Sequence, residues 1–294
     1  MQSVESDSSL SQLPADSPTA PRHALLASLR SPRGLLGLAL VLVPTLLALA
    51  APLIAPYDPE FQDETALEQL GPSLKHLFGS DELGRDLFSR VLYGARVDFL
   101  ISLGGAFAGS LIGSTLGLLA AIVRPLDAAL QRMFDVLLAF PALVLGIAVA
   151  IVAGPGVTAV IITLVLINVP IFGKLARNGV IALRGREYAL AARAFGASES
   201  WVVRRHLLPN ARDPLIVQGA LSAAQATIVE SGMSFVGLGV QLPTPSLGNM
   251  LQGSLAYLHA SPVYAIGPML PLVSIVLGLN LIADAMTNAI ASDK

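Results

Sequence analysis

The sequence is 294 residues long, and 54% of its residues are apolar while 13% are charged. This composition places the chain among integral membrane proteins. A formal net charge of -2 leaves no basic face for a nucleic-acid partner, and the absence of cysteine excludes disulfides, thiolate chemistry and cysteine-ligated metals.

The N-terminal part of the chain is a polar tail followed by a first hydrophobic run. Residues 1–33 form the predicted cytoplasmic tail, and the first 21 of them are rich in Ser, Pro, Asp and Gln without an apolar period, which predicts disorder. Residues 34–54 are long and apolar enough for a transmembrane helix. The tripeptide Ala-Leu-Ala at residues 48–50 resembles a signal-peptidase site. Because the apolar run exceeds a signal-peptide core and its leader is long, we expect an uncleaved span.

Residues 55–98 are predicted to be a periplasmic loop. Up to Arg96 this segment has eight acids and four basic residues, which is the charge bias of a non-cytoplasmic loop. An apolar stripe near its end consists of Leu83, Leu87, Val91 and Leu92. The stripe predicts an amphipathic helix resting at the membrane interface, with the charged residues of this stretch on its polar face.

Five further spans are predicted within residues 99–287. We place them at residues 99–123, 136–152, 157–172, 215–240 and 264–282. The first of these five has a glycine at every fourth position, namely Gly105, Gly109, Gly113 and Gly117. Such a ridge lets another helix backbone approach closely, so this span is expected to be buried among helices.

The connections between these spans differ in character. A short charged return through the cytoplasmic side, as a surface helix, is indicated by Arg124, Asp127, Arg132 and Asp135. Residues 153–156 form a tight turn. Residues 241–262 contain three prolines and are too broken to span, so we expect them to dip into the membrane from the outer side, covered by protein. Residues 288–294 form a C-terminal tail.

Charge places the two sides of the membrane. Six spans put both termini on one side, and residues 174–213, between the fourth and fifth spans, contain eight basic residues against three acids. Three more arginines precede the first span. The positive-inside rule therefore assigns both termini and the loop at 174–213 to the cytoplasm. The fold class that follows is an all-α integral membrane protein with six transmembrane helices.

The loop at residues 174–213 has its own pattern. Alanine-rich sequence predicts a helix over residues 187–195, Gly196 can leave that helix with positive φ, and Ser198 can cap a second helix through residue 207. Pro209 and Asn210 are expected to end it. The first helix presents small and aromatic side chains at spacings of three and four, namely Tyr188, Ala191, Ala192 and Phe195. That surface suits a groove on another protein; the alternative is a loop that folds back on its own membrane domain.

This loop resembles the cytoplasmic EAA loop of ABC importer permeases, whose pattern is E-A-A, three residues, G, nine residues and I-x-L-P. The matching residues are Ala191, Ala192, Gly196, Leu208 and Pro209. Leu190 replaces the acidic residue of that pattern, and His206 replaces its isoleucine. Two further stretches, F-G-S-D-E-L-G-R-D-L-F-S-R at residues 78–90 and S-F-V-G-L-G-V-Q at residues 234–241, resemble the peptide-importer branch. The C-type permeases of that branch have an extended periplasmic loop after the first span.

The resemblance implies a type I ABC importer permease of the bacterial inner membrane, for dipeptides, oligopeptides, glutathione or chelated nickel. Its partners would be a second, homologous permease, two cytosolic ATP-binding subunits, an extracytoplasmic solute-binding protein and the lipid bilayer. The chain itself would need no cofactor, because ATP and Mg would bind to the ATPase subunits. The residues predicted to dock an ATPase subunit are Glu187, Ala191, Ala192, Gly196, Ala197, Arg204 and Arg205. For the two arginines the alternative is that they only anchor the loop on the cytoplasmic side through the positive-inside bias.

Motifs of enzymes are missing from the sequence. There is no G-x-x-x-x-G-K-[ST] sequence for nucleotide phosphates and no G-x-S-x-G nucleophile elbow. The four histidines are scattered over four polar segments without metal-ligand spacing. We therefore expect no enzymatic activity and no metal site in this chain, which disfavours the alternative of a membrane-embedded enzyme.

Glu230 is the one acid well inside a predicted span. An ionisable residue there is costly and usually faces protein or water, so it is a candidate for lining the translocation path. The alternative is a carboxyl group hydrogen-bonded to neighbouring Ser or Gln. A secondary transporter driven by an ion gradient remains the rival function, although it would need several intramembrane ionisable groups.

Overall fold

The computed structural model describes residues 28–67 and 71–292, so most of the predicted N-terminal tail lies outside the described residues. Within them the regular structure is helical apart from one isolated bridge between Ser80 and Asp86. The helices are α1 (Pro32–Leu49), α2 (Ala51–Ile54), α3 (Leu87–Ile122), α4 (Arg124–Leu138), α5 (Ala142–Ala153), α6 (Val157–Leu183), α7 (Glu187–Ala194), α8 (Glu199–Val202), α9 (Leu208–Phe235), α10 (Leu247–Ser254) and α11 (Pro262–Ser292). Short 3-10 turns cover Glu64–Ala66 and Leu255–Tyr257, and a π-helix covers Val203–Leu207.

By length and composition, the described helices supply four or five of the six predicted membrane crossings. Four of them, α1, α3, α6 and α11, are long and apolar enough to cross, and the bent pair α4–α5 can provide a fifth crossing. The predicted span at residues 215–240 corresponds to α9, whose 28 residues give a length of about 42 Å. Polar residues such as Gln225 and Glu230 make α9 less apolar than the other four. The chain is thus an all-α membrane protein.

The third predicted span, at residues 136–152, is wrong as one straight helix. The axes of α4 and α5 differ by 97° across a short break. Pro141 stands at this break, where proline disfavours helical geometry in the residue before it. At 12 residues α5 is about 18 Å long, which is shorter than the hydrocarbon layer.

Three other boundaries differ from the predictions. Helix α3 begins at Leu87, inside the predicted periplasmic loop, and not near residue 99. Helix α6 continues to Leu183, so the first ten residues of the predicted cytoplasmic loop are helical. Helix α11 continues to Ser292, so the predicted C-terminal tail is helical over its described part. In each case the helix extends beyond its apolar run. Hydropathy identifies the part of a helix that can lie in the membrane, and it does not identify where the helix ends.

The glycine ridge of α3 is buried among helices, as predicted, and its partner is α6. A Cβ atom built on Gly113 would lie 2.4 Å from the carbonyl oxygen of Val169, and one on Gly117 would lie 2.1 Å from that of Gly173. Such distances leave no room for a side chain, so the two backbones are in direct contact. This packing makes α3 and α6 the centre of the helical core.

The outer part of the chain is built around α10. Ser246 caps this helix by accepting from the backbone N–H of Asn249, and the Asn249 side chain accepts from the N–H of Ser246. This reciprocal pair satisfies backbone donors that a helix start leaves free. Helix α10 packs against α3, α9 and α11, so protein covers the middle of the predicted segment at residues 241–262. Residues 241–243 and 258–260 of that segment are exposed.

Candidate functional site

The loop at residues 174–213 forms the predicted pair of helices. Helix α7 is followed by Gly196 with φ of +84°, in the left-handed region that favours glycine. Ser198 then caps α8 by accepting from the backbone N–H of Trp201 at 3.4 Å. The prediction that Pro209 ends this second helix is wrong. The chain passes through the π-helix into α9 without a break, and Pro209 lies in the first turn of α9, where its missing N–H is tolerated.

The inner face of the loop packs on the membrane domain. Ala189 of α7 and Val202 of α8 are fully buried, together with Leu207. They form one apolar cluster with Ala121 and Val180, which belong to α3 and α6. The alternative that the loop folds back on its own domain therefore describes this face correctly.

Glu199 holds the two short helices together. Its carboxylate accepts hydrogen bonds from Arg193 at 3.0 and 3.1 Å and forms an ion pair with Arg184 at 3.0 Å. Arg193 also donates to the main-chain carbonyl of Arg184 at 2.9 Å. The hydrogen bond from Arg193, followed by the charge of Arg184, holds the pKa of Glu199 below its usual value. Glu199 is not among the residues predicted for this loop, although an acid in the first turn after Ser198 is a signal that the sequence contains.

The outer face of the loop is an exposed, uncharged surface. Phe195 is 92% exposed, Trp201 is 49% exposed and Tyr188 is 38% exposed. A shallow depression of about 790 Å³ is lined by Tyr188, Ala191, Ala192, Phe195, Gly196, Ala197, Ser198, Trp201 and His206. We call these nine residues the aromatic surface. Exposed aromatic side chains beside alanines are typical of protein-binding surfaces, because they offer large contact area at little entropic cost.

The predicted docking residues occupy different positions on the loop. Ala191, Ala192, Gly196 and Ala197 lie within the aromatic surface. Arg204 and Arg205 are exposed beside it on the π-helix, next to Ser200 and Trp201. Glu187 is the exposed first residue of α7 and lies outside the aromatic surface. The structure therefore brings six of the seven predicted residues to one side of the loop.

Most basic residues of the loop are neutralised within the chain. Lys174 pairs with Asp135, Arg177 with Asp127, Arg184 and Arg193 with Glu199, and Arg212 with Asp213. Arg204 and Arg205 form no ion pair with a described residue. These two arginines are therefore free to meet acidic groups of a partner.

Glu230 lies far along α9 from the aromatic surface and is fully buried. Its carboxylate accepts from the hydroxyl of Ser234 at 2.8 Å and from that of Ser231 at 3.2 Å. These contacts agree with the alternative to a path-lining role, in which the Glu230 carboxyl group is hydrogen-bonded to neighbouring serines. In this conformation protein surrounds Glu230, so its place in the translocation path stays a prediction.

Comparison with known proteins identifies the family. The family model of the inner membrane component of binding-protein-dependent transport systems matches residues 113–293, and that of the N-terminal transmembrane domain of oligopeptide transport permease C matches residues 23–72. The chain belongs to this family of permeases.

Individual relatives agree with that assignment. The permease is 35% identical over 271 residues to the dipeptide transport system permease protein DppC of Alkalihalophilus pseudofirmus, covering 92% of this chain and 88% of that protein. It is 36% identical over 251 residues to the glutathione transport system permease protein GsiD of Shigella dysenteriae, covering 85% and 83%. A chain of the inward-facing MetNI methionine ABC transporter shares the fold, with a TM-score of 0.56 and 20% identity, covering 69% of the permease and 96% of that chain.

The outer segment of the permease corrects the predicted amphipathic helix. The charged stretch directly before Leu87 is a turn, and Asp81, Arg85 and Asp86 in it are buried, whereas Glu82 is exposed. Asp81 accepts from Arg85 at 2.7 Å and lies 3.5 Å from Arg90, which also donates to the carbonyl of Pro59 at 2.8 Å. Most of the apolar stripe is buried in protein, with Leu87, Val91 and Leu92 in contact with neighbouring helices. Sequence spacing could not show the partners that neutralise these charges.

Asp86 links this segment to the membrane core. Its carboxylate caps α3 by accepting from the backbone N–H of Ser89 at 2.8 Å, and it contacts the ring nitrogen Nδ1 of His76 at 2.9 Å. The His76 ring is buried and stacks on Tyr57. A carboxylate at a helix start is favoured by the helix dipole and by the free N–H groups there. The turn before Leu87 therefore fixes where α3 begins.

Proposed function

We propose that this chain is the permease subunit of an ATP-driven importer for peptides or solutes of peptide size. It forms half of the translocation path and pairs with a second, homologous permease. Two cytosolic ATP-binding subunits and an extracytoplasmic solute-binding protein complete the complex. The cargo class is supported by the relatives, whose names specify dipeptide and glutathione transport.

The observation that carries the docking proposal is the aromatic surface on the cytoplasmic loop. It presents exposed Phe195 and Trp201 on short helices that no other described element covers. Because Glu199 ties both helices to the end of α6 through Arg184, a force applied at this surface reaches the membrane helices. The unbroken run from α8 through the π-helix into α9 provides a second connection.

The proposal assigns the chemistry to other subunits. ATP and Mg bind to the ATPase partners, because the sequence has no loop for nucleotide phosphates. The chain itself acts without a cofactor and without enzymatic activity, in the inner membrane, with both termini in the cytoplasm. A carrier driven by an ion gradient is disfavoured, because the matching family model describes a binding-protein-dependent system.

A matched pair of variants tests the docking surface. Ala191 and Ala194 are both exposed on α7, but only Ala191 lines the aromatic surface. Ala191→Asp should abolish co-purification of the ATPase subunit and uptake of a labelled dipeptide, because it places a charge in an apolar contact. Ala194→Asp should retain both, with equal membrane insertion. Equal behaviour of the two variants in co-purification would contradict docking through this surface.

A further inference from the structure

Two acids from different helices meet inside the membrane domain. Asp98 of α3 is 1% exposed and Glu230 of α9 is 0% exposed. The start of α10 brings them together, although 131 residues separate them in the chain. Leu247 donates to Asp98, and a Cβ atom built on the next residue, Gly248, would lie 2.2 Å from the carbonyl oxygen of Ser231 and 2.8 Å from the side chain of Ser234. These two serines bind the carboxyl group of Glu230, so the two acids face each other across one small region of the core. Two adjacent carboxylates in such surroundings repel each other strongly, since little water is present to screen them.

No basic group neutralises this pair within the described chain. On α3, Arg90 is bound to Asp81 and to the carbonyl of Pro59, and Arg96 forms no ion pair with a described residue. Tyr264 of α11 donates its hydroxyl proton to Glu82. Helices α5 and α10 contain no titratable residue, and α6 has none before Lys174, which pairs with Asp135.

The hydrogen bonds around the pair leave one oxygen without a donor. Asp98 Oδ2 accepts from the backbone N–H of Leu247 at 2.8 Å, at the start of α10. Both oxygens of Glu230 accept from serine hydroxyls. Asp98 Oδ1 is buried and has no donor among the described groups. A buried oxygen of this kind is costly unless a donor is supplied.

We propose that Asp98 and Glu230 hold one proton in common and form a hydrogen-bonded carboxyl pair. The shared proton removes one of the two negative charges and gives Asp98 Oδ1 the partner that it lacks. Because Asp98 also accepts from Leu247, the pair joins α3, α9 and the start of α10. It therefore acts as a proton-dependent link that fixes α10 on the outer side of the core.

Infrared spectroscopy of the full-length protein in lipid nanodiscs tests the shared proton directly. A protonated carboxyl group has a C=O band that is distinct from the carboxylate bands and shifts in deuterated buffer. The wild-type protein should show such a band at neutral pH. Both Glu230→Gln and Asp98→Asn should lose it, because the amide then donates to the remaining carboxylate. Asp284→Asn, which changes an exposed acid on α11, should keep it.

Two results would overturn the proposal. The first is a wild-type spectrum without the band, or a band that persists in both amide variants. The second is a melting temperature of the wild type that rises with sodium chloride but not with choline chloride. If both amide variants lose this rise, a sodium ion and not a proton neutralises the pair. If one amide variant fails to insert, the other variant and the salt titration of the wild type still decide.

Discussion

Gly196 is the residue on which the change of direction between α7 and α8 depends. Its φ of +84° is strained for residues with a Cβ atom, and most of all for β-branched ones. No neighbouring atom lies within 4 Å of a Cβ built at this position, so the restriction comes from the backbone and not from packing. The role of Gly196 is therefore conformational.

Gly196→Val should abolish uptake while leaving membrane insertion intact. The left-handed conformation costs a non-glycine residue about 1–2 kcal/mol, so the chain will turn differently and the aromatic surface will be misaligned. Gly185→Val is the matched control, because Gly185 lies in the same loop, has open space around it and has no positive φ. Uptake of a labelled dipeptide in whole cells distinguishes them, and normal uptake by the Gly196 variant would disprove this role.

Glu199 permits a prediction about pH. Because its folded pKa is below the ordinary value of 4.5, its ion pairs stabilise the loop fully above that value and are lost as the pH falls through the folded pKa. Glu199→Gln should reproduce the acid form at neutral pH and make the loop more sensitive to trypsin. Glu187→Gln, an exposed acid on the same loop without an ion pair, should leave the digestion rate unchanged. Equal rates of trypsin digestion for the wild type and the Glu199 variant would contradict the role of Glu199 in holding α7 and α8 together.

At the scale of helices, the contact between α3 and α6 decides whether the core can form. Its glycines recur every fourth residue, so the sequence alone predicted a flat face and its burial. The partner helix was not predicted, because any of the other spans had the length and apolar character to fill that role. Only the geometry shows that Gly113 and Gly117 meet the backbone of α6.

Gly117→Ala should lower the stability of the membrane domain by about 1–3 kcal/mol, which is typical of overpacking in a core without room. Its Cβ would lie 2.1 Å from the carbonyl oxygen of Gly173, so the two helices must separate. Gly104→Ala, on the same helix with open space around it, should be neutral or slightly stabilising. Thermal unfolding in detergent measures both, and an unchanged melting temperature for the Gly117 variant would refute the close approach.

The errors of the sequence analysis share one physical cause. The apolar stripe from Leu83 to Leu92 was assigned to the interface because charged residues alternate with it, and charges are normally solvated. Asp81 and Arg90 are nevertheless buried, because Arg90 reaches the carbonyl of Pro59, 31 residues earlier. Likewise the contact of Asp98 with Glu230 depends on helix packing. Periodicity predicts which residues share one face of a helix. The group that pairs with a buried charge lies far away in the sequence, so periodicity cannot predict it.

At the scale of the whole molecule, the two polar ends have opposite roles. The end at which α3 starts is a compact ionic turn that caps this helix, whereas the end at which α7 and α8 lie presents the uncovered aromatic surface. Five of the eight basic residues in the loop at 174–213 form ion pairs with acids of the same chain. The excess of basic residues that predicts the cytoplasmic side therefore lies mostly in folded ion pairs. The proposed coupling depends on this surface being on the ATPase side of the membrane.

The absence of cysteine allows a direct test of this orientation. Leu74 of the outer segment and Phe195 of the aromatic surface are both highly exposed, at opposite ends of the chain's membrane domain. A single cysteine at Leu74 should react with a membrane-impermeant maleimide in spheroplasts. A single cysteine at Phe195 should react only after the membrane is opened, since the proposal places this residue in the cytoplasm. The cysteine-free parent controls for background labelling. Labelling of the Phe195 variant in intact spheroplasts would show that the loop is outside the cytoplasm. A cytosolic ATPase could then not contact it, and the proposed coupling mechanism would be wrong.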